Sequence, residues 1–332
     1  EHGNTTAYAW TPDDKKLVFW AGGIFHSVDV SDNTVTDIPV HLKVEKTISP
    51  ALRFAVDVAP DTFKVKMARW TQISPDGKNI LFQALGHIYV RNVKSGKAKR
   101  LTKQKDHFEY YPSFSRDGKS VVYTTWDDNK LGSVKIAKLR NGRSHTVTRN
   151  KGHYIEPSFS PDGKKVLFKK ITGGHLLSGD WSMEPGIYLA DSKGGKKSKI
   201  RRVTQNGYNA HFTADTDRVY FSERGKDNHL LFKSTNLNGK DERTHFTGDF
   251  ITDYKASPDG KWIAFSQHFN TFVAPFVTTG KTLTVGKGTE SFPVKQVSKQ
   301  SGDYINWTAD SSELTWAFGS HFYRRPMTDT FA

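Results

Sequence analysis

A block of four residues recurs seven times along the chain, and no other feature restricts the fold as strongly. Each copy has Ser or Thr first and Asp third, usually with Pro second and Gly fourth. The copies occupy 11–14, 74–77, 115–118, 160–163, 213–216, 257–260 and 308–311. Their Asp residues are 63, 41, 45, 53, 44 and 51 residues apart, and such a period indicates a repeat architecture.

The residues in and around each block predict strands joined by tight turns. Ser or Thr first, Pro second and Gly fourth is the composition of a type I turn. The run after the block, such as ILFQA (80–84), is rich in β-branched and aromatic residues typical of strands. HIYVRN (His87–Asn92) and AKRLT (Ala98–Thr102) predict a second and a third strand, and the residues before the block give a fourth. Four strands in roughly 40 to 50 residues is the unit of a β-propeller blade.

The sequence therefore predicts an all-β fold: a single seven-bladed β-propeller of four-stranded antiparallel blades over residues 1–332. The first spacing leaves about twenty extra residues in the insert Pro39–Ala68. The last unit is short, with room for about three strands. We expect the N-terminal stretch Glu1–Ala7 to supply the missing strand and to close the ring.

Composition narrows the classes of function. The absence of cysteine excludes disulfides, thiolate metal sites and a Cys nucleophile, and it fits a periplasmic or extracellular bacterial protein. No apolar run is long enough to span a membrane, and no signal sequence opens the chain. The net charge of +15 first suggests nucleic acid as a partner, but no recognition motif accompanies the basic runs. A solvated basic surface is the favoured interpretation.

Metal and catalytic motifs are few. Asp127 and Asp128, followed by Asn129, are the metal-ligand candidates, because adjacent carboxylates suit a hard cation such as calcium. The competing interpretation is a polar hairpin loop between two strands. The histidines are scattered without metal-binding spacing, and the chain has no nucleophile elbow and no phosphate-binding glycine loop.

The predicted channel is the better place to look for function. In a propeller the innermost strand of each blade precedes the turn block, so the residues that enter this strand line one mouth of the channel. Four residues before each block lie Ala7, Trp70, Tyr111, Glu156, Asn209, Asp253 and Tyr304. Their close neighbours are Arg69, Glu109, Tyr110, Tyr208 and Asp303. We expect a small polar funnel for a ligand, a cation or a peptide. Alternatively, these groups only satisfy one another and ordered water.

With these turn blocks, the chain resembles TolB-like propellers. It is also similar to the second half of the propeller region of large bacterial metal-dependent amidohydrolases. The stretches that carry this resemblance are Tyr8–Gly23, Arg53–Phe63, Trp70–Val90, His107–Asp128, Gly179–Tyr188 and Ser257–Phe276. In that family a catalytic barrel with an H-x-H metal pair follows the propeller, and this chain has no such pair. The resemblance therefore implies a hydrolase for the parent protein or complex, no catalytic residue in this chain, and export to the periplasm.

The leading hypothesis is a non-catalytic propeller that binds, or gates access for, a substrate, a catalytic domain or a protein partner, without a cofactor of its own. One alternative is a propeller hydrolase with a divalent cation at the channel mouth, which requires Glu156, Asn209 and Asp253 to converge. A second alternative is a TolB-like envelope module that binds another protein through a loop face.

Overall fold

The computed structural model describes residues 7–172, 183–227 and 229–331, and these ranges contain strands but no helix. The chain divides into two compact units, Glu1–Thr62 and Phe63–Ala332. The first unit holds one antiparallel sheet in the order β1-β2-β3-β4. Its strands are β1 (Tyr8–Trp10), β2 (Lys16–Ala21), β3 (Ile24–Asp29) and β4 (Val35–Ile38).

The turn block of the first unit joins β1 to β2, as predicted. Thr11 Oγ1 donates to Asp13 Oδ1 at 2.6 Å and accepts from the Lys16 backbone N–H at 3.0 Å. Residues 39–62 form no strand, and their apolar side chains are exposed. The predicted closing stretch Glu1–Ala7 lies outside the described residues except for Ala7.

The second unit consists of six sheets, which we call blades A to F in chain order. Blade A contains β5 (Arg69–Ile73), β6 (Asn79–Ala84), β7 (His87–Asn92) and β8 (Ala98–Arg100). Blade B contains β9 (Phe108–Phe114), β10 (Ser120–Trp126), β11 (Ser133–Lys138) and β12 (Ser144–Thr146). Blade C contains β13 (His153–Phe159), β14 (Lys165–Ile171), β15 (Gly186–Asp191) and β16 (Ile200–Thr204). Blade D contains β17 (Tyr208–His211), β18 (Arg218–Arg224), β19 (Leu230–Asn236), β20 (Arg243–Gly248) and β24 (Leu283–Thr284). Blade E contains β21 (Ile251–Ala256), β22 (Trp262–Gln267), β23 (Asn270–Pro275) and β25 (Lys295–Gln296). Blade F contains β26 (Asp303–Trp307), β27 (Glu313–Phe318) and β28 (His321–Pro326).

These sheets confirm the predicted all-β propeller with antiparallel, mostly four-stranded blades. Blade D has a fifth strand, because β24 pairs in parallel with β20. Blade F has three strands, which agrees with the predicted short last unit.

The inner strands of the second unit surround its channel. The inner strands β5, β9, β13, β17, β21 and β26 contact one another in that order, and β26 contacts β5. The six blades of this unit therefore follow one another around the channel, and the sheet of the first unit is the seventh of the chain. The remaining block, at Thr11, belongs to the sheet of the first unit. On the sequence alone, the long segment between this block and the next is interpreted as an insert within one propeller.

The core of the second unit lies between neighbouring blades. Buried clusters join A to B, B to C, C to D, D to E, and E to F. Phe168 and Phe221, for example, are almost completely buried, and each contributes roughly 2 kcal/mol through the apolar surface removed from water. A cavity of about 530 Å³ lies where blades F and A meet, with Ile80, Phe82 and Phe322 in its lining.

The turn blocks repeat one hydrogen-bond network. In five of the six blades, the Ser or Thr hydroxyl donates to the Asp Oδ1 at 2.5 to 2.7 Å. The same hydroxyl accepts the backbone N–H five residues further on, at 2.9 to 3.0 Å. Because one side chain satisfies both groups, the network fixes the start of each second strand.

Candidate binding site at the channel mouth

All six inner strands of the second unit carry a β-bulge close to one end of the channel. In β9, for example, Val122 of the neighbouring strand pairs with Ser113 and Thr124 with Tyr110, so two residues oppose one. The pairing of the other five inner strands shifts at the corresponding place.

The bulges place five residues in the left-handed region of backbone conformation. Their φ angles lie between 49° and 58°, and the residues are Trp70, Tyr111, Glu156, Asn209 and Tyr304. Side chains other than Gly seldom adopt this region, and Asn is the one residue type here that tolerates it well. Asp253 occupies the same place in β21 without a positive φ, since its bulge falls at the preceding residue. Strain of this kind, repeated at one end of the channel, is typical of a functional site.

The bulges bring the predicted mouth residues of the second unit together. A cavity of about 310 Å³, which we call the mouth cavity, receives one such residue from each inner strand. These six residues are Trp70, Tyr111, Glu156, Asn209, Asp253 and Tyr304. Ala7, the seventh residue of the predicted set, belongs to the first unit.

One half of the mouth cavity is aromatic. It comes from the adjacent blades F, A and B. The rings of Trp70 and Tyr111 lie 4.1 Å apart between centroids, with 35° between their planes. Tyr304 meets Trp70 at 6.0 Å with its edge towards the indole. The three rings form a broad apolar surface on which a flat group can stack.

The other half is acidic and comes from blades C, D and E. Asn209 connects its two carboxylates: its backbone N–H donates to Glu156 Oε2 at 2.5 Å, and its side-chain amide donates to Asp253 Oδ1. The predicted convergence of these three residues is present. However, it is built from N–H donors directed at the carboxylates, and a cation site would need their oxygens free to converge.

Burial dominates the electrostatics of the acidic half. It raises the pKa of Asp253 to about 7, against the opposing influence of Lys255 and Asn209. It also raises the pKa of Glu156, which the Asn209 N–H and nearby lysines oppose. On the aromatic half, burial raises the pKa of Tyr111 to about 12. The mouth therefore disfavours isolated negative charge.

Two further candidates from the sequence lie beside the mouth cavity and do not line it. Arg69 is exposed at the rim, and its charge acts to lower the pKa of Tyr111 and of Tyr304 against the effect of burial. Glu109 is fully buried between blades A and B, where it accepts the Ile88 backbone N–H at 3.0 Å and the Thr102 hydroxyl. Its contacts join two blades.

A second set of channel residues was missed by the sequence analysis. It lies two positions after each mouth residue, and we call it the middle ring: Gln72, Ser113, Ser158, His211, Lys255 and Asn306. Because side chains in a strand alternate with period two, this spacing could have identified them. Several of them join neighbouring blades, as Ser158 Oγ does by donating to the Ala210 carbonyl at 2.9 Å.

His211 is the histidine of the middle ring. Its Nε2 accepts the Ala256 backbone N–H at 3.0 Å, so its Nδ1 carries the proton and donates to the Asn209 carbonyl at 2.8 Å. Burial keeps the pKa of His211 well below its usual value. The ring therefore links blades D and E as a neutral imidazole.

The metal candidates Asp127 and Asp128 stabilise their own loop. Asp127 Oδ1 accepts the backbone N–H groups of Asn129 and Lys130, at 3.1 and 2.7 Å. Asp128 Oδ1 accepts the Trp126 indole N–H at 2.8 Å. Within the described ranges, no group of three or more His, Cys, Asp or Glu side chains comes together in an arrangement that could hold a metal ion.

The fold and the mouth define the class of the protein: a β-propeller with a half-aromatic, half-acidic cavity at one end of its channel. Residues 106–291, more than half of the chain, match the sequence profile of the TolB beta propeller domain. The chain belongs to that family.

Individual relatives match more distantly. The Tol-Pal system protein TolB of Francisella tularensis subsp. mediasiatica is 30% identical over 95 residues, which cover 29% of this chain and 19% of that protein. The match thus spans about a fifth of the length of that curated relative. Dipeptidyl-peptidase 5 of Porphyromonas gingivalis is 22% identical over 259 residues, or 65% of this chain and 36% of that protein.

Solved structures share the fold at low sequence identity. An oligogalacturonate lyase in complex with manganese aligns over 98% of this chain and 89% of its own, with a TM-score of 0.54 and 12% identity. TolB from Acinetobacter baumannii aligns over 89% of this chain and 63% of its own, with a TM-score of 0.52 and 16% identity. The described part of the chain has no helix able to cross a membrane.

Proposed function

We propose that this chain is a non-catalytic binding module, whose mouth cavity receives a group from a protein partner, an adjoining catalytic domain or its substrate. The observation that carries the proposal is the contrast between the mouth and the turn blocks. Six bulged strands, five of them with a left-handed residue at the bulge, present six side chains of varied chemistry to one cavity, whereas the turn block repeats in five of the six blades. Converging polar and aromatic groups in a concave site are typical of ligand recognition.

The proposal extends to the setting of the module. We propose that it serves an amidohydrolase-type protein, which the resemblance of its sequence to the propeller regions of those enzymes supports. We also propose an exported, periplasmic location. The absence of cysteine and the Tol-Pal system proteins among the relatives support it. Fractionation of the native host, with this chain detected by antibody, tests the location directly.

Binding can be tested with peptides selected from a random phage-displayed library against the purified chain. We expect selected peptides to lose about tenfold or more in affinity when Trp70→Ala or Tyr304→Ala removes an aromatic surface. Phe269→Ala is the control, because Phe269 is 80% exposed and lies outside the mouth cavity. Peptides whose affinity depends equally on all three positions, or on none, would contradict binding at the mouth.

The enzyme alternative is tested on the same protein. One oxygen of Glu156 and one of Asp253 already accept hydrogen bonds from Asn209, which weighs against a catalytic cation between them. We expect mass spectrometry to find no stoichiometric divalent ion and a hydrolase screen to find no turnover. A tightly held ion, with hydrolysis that Glu156→Gln abolishes, would replace the binding module with the propeller hydrolase.

A further inference from the structure

The channel of the second unit contains two cavities separated by the middle ring. The mouth cavity lies on one side, and a smaller cavity of about 110 Å³ lies towards the turn blocks. Gln72, Lys255 and Asn306 line both cavities. A group that enters at the mouth therefore meets the middle ring as the floor of the site.

Arg116 crosses the channel beyond this floor. It stands second in its turn block, where the other five blades have Pro or Ala. Its guanidinium donates to the Thr213 carbonyl of blade D and to the Pro258 carbonyl of blade E, the latter at 3.3 Å. Blade E is opposite blade B in the ring, so the side chain spans the axis. The channel is consequently obstructed at this end, and the mouth cavity suits the end of a molecule better than a chain that passes through.

Lys255 is the one lysine of the middle ring, and it lines both cavities. Among the described residues, no acceptor lies within hydrogen-bond distance of Lys255 Nζ and no carboxylate lies within 4.0 Å of it, although the charges of Asp253 and Glu156 act on it from further away. Burial lowers the pKa of Lys255, although the charges of Asp253 and Glu156 oppose this effect. Lys255 is partly buried and lines two cavities, so its ammonium group is available to a ligand oxyanion, with which it would form a charge-assisted hydrogen bond.

Glu156 and Asp253 compete only weakly with a ligand carboxylate for the Lys255 amine. Each already accepts a hydrogen bond from Asn209, and burial opposes the negative charge of both. Arg69 at the rim and Lys169, whose amine lies 5.3 Å from the centre of the Tyr208 ring, add positive charge around the entrance.

We propose that the mouth cavity binds the end of an organic molecule that carries a carboxylate, with the carboxylate on Lys255 and a flat apolar group against Trp70, Tyr111 and Tyr304. The inference rests on the proposed binding function and specifies its ligand class. A carboxylate next to an aromatic or ring-shaped group fits the two halves of the cavity together. A peptide that ends in a free carboxyl group meets this description.

The test uses three small probes that share the tyrosine side chain and differ in the charge of their end groups. They are N-acetyl-L-tyrosine, which is an anion, N-acetyl-L-tyrosinamide, which is neutral, and L-tyrosinamide, which is a cation. Their dissociation constants for the unmodified chain are measured by ligand-observed NMR at millimolar concentration. We expect the anion to bind about tenfold more tightly than the neutral amide, since a charge-assisted hydrogen bond is lost in the amide.

Variants then locate the charge that is recognised. Lys255→Met should reduce binding of the anion to the level of the amide, and Lys255→Arg should retain most of the preference. Lys281→Met, at an exposed lysine outside the channel, is the matched control and should change nothing.

Three outcomes would overturn the inference: tighter binding of the cation, equal binding of all three probes, or no binding of the anion. Any of them would leave the proposed binding module intact if selected peptides still depend on Trp70 and Tyr304. Failure of the peptide experiment together with hydrolysis by the chain would instead remove the proposed function itself. The probe series on the unmodified chain remains decisive even if a Lys255 variant does not fold.

Discussion

The two ends of the channel in the second unit differ in how far their residues repeat from blade to blade. At the turn-block end, five of six blades use the same residues to make the same hydrogen bonds. At the mouth, the blades share a backbone distortion and differ in the side chain it presents. The comparison teaches that repetition in this fold marks structural support, and that departure from repetition at an equivalent position marks chemistry.

The carboxylates at the two ends of the channel also differ, in the direction of their pKa shifts. At the turn blocks, hydroxyl and backbone donors lower the pKa of Asp76, Asp117, Asp162 and Asp310. At the mouth, burial raises the pKa of Glu156 and Asp253. The turn blocks thus stabilise their charges, while the mouth holds its acids under conditions that disfavour charge.

The largest effect is expected at the middle ring, which lies between the two ends. His211→Ala removes the hydrogen bond that the imidazole accepts from the Ala256 N–H of blade E and the one that it donates to the Asn209 carbonyl of its own blade, and it leaves these buried backbone groups unsatisfied. We expect a loss of about 3 kcal/mol in the free energy of unfolding, measured by urea denaturation. His321→Ala, at an exposed position, should be nearly neutral. A small loss for His211→Ala would mean that the blades do not depend on this connection.

The same histidine predicts a dependence on pH. Its folded-state pKa lies well below the ordinary value of 6.5, so the unfolded chain binds a proton more readily. The contribution of His211 is fully present above pH 6.5 and is lost as the pH falls. His211→Gln should therefore flatten the decline in stability on the acid side.

The next effect, at a turn block, separates stability from binding. Ser257→Ala removes the hydroxyl that donates to Asp259 Oδ1 at 2.5 Å and accepts the Trp262 backbone N–H at 3.0 Å. We expect the variant to lose about 1 to 2 kcal/mol in the free energy of unfolding and to keep the peptide affinity of the parent. Trp70→Ala should weaken peptide binding strongly. If Ser257→Ala weakened binding equally, the two ends would not be functionally distinct.

The smallest effect concerns the raised pKa of Asp253. Between the ordinary value of 3.8 and the folded-state value of about 7, the folded chain retains a proton that the unfolded chain has lost, so this group destabilises the fold as the pH rises. Asp253→Asn should therefore raise the free energy of unfolding by about 1 kcal/mol at pH 8 relative to the parent, with little effect at pH 4. Asp76→Asn, at a turn block, should act in the opposite direction. Equal behaviour of the two variants would remove the electrostatic difference between the ends.

Much of the fold followed from the turn blocks, because their chemistry is local. Ser74, Asp76 and Gly77 determine one turn without help from distant residues, and the strands follow from the apolar runs beside it. The six mouth positions of the second unit could be identified for a related reason: a fixed offset from a repeated turn gives an equivalent place in every blade. The number of blades in the ring depends on which strands meet across the channel, and no local signal reports that.

The chemistry of the site was harder to predict. Trp70 and Tyr111 carry no sequence preference for a left-handed backbone, so the bulges could not be foreseen. Glu109 lies two residues before the mouth residue Tyr111 but is buried between two blades, because tertiary packing decides which face is buried. The crossing of Arg116 requires the opposite side of the ring, more than a hundred residues away in sequence.

The bulges have a consequence for how such a protein can change over evolution. A backbone that is bent at the same place in every blade holds the mouth side chains whatever their identity, since Trp, Tyr, Glu and Asn all occupy it here. Substitution at one mouth position therefore alters what the cavity can recognise while the turns and blade interfaces persist. A lineage could exchange one ligand for another through a few such replacements, and a designer could follow the same route.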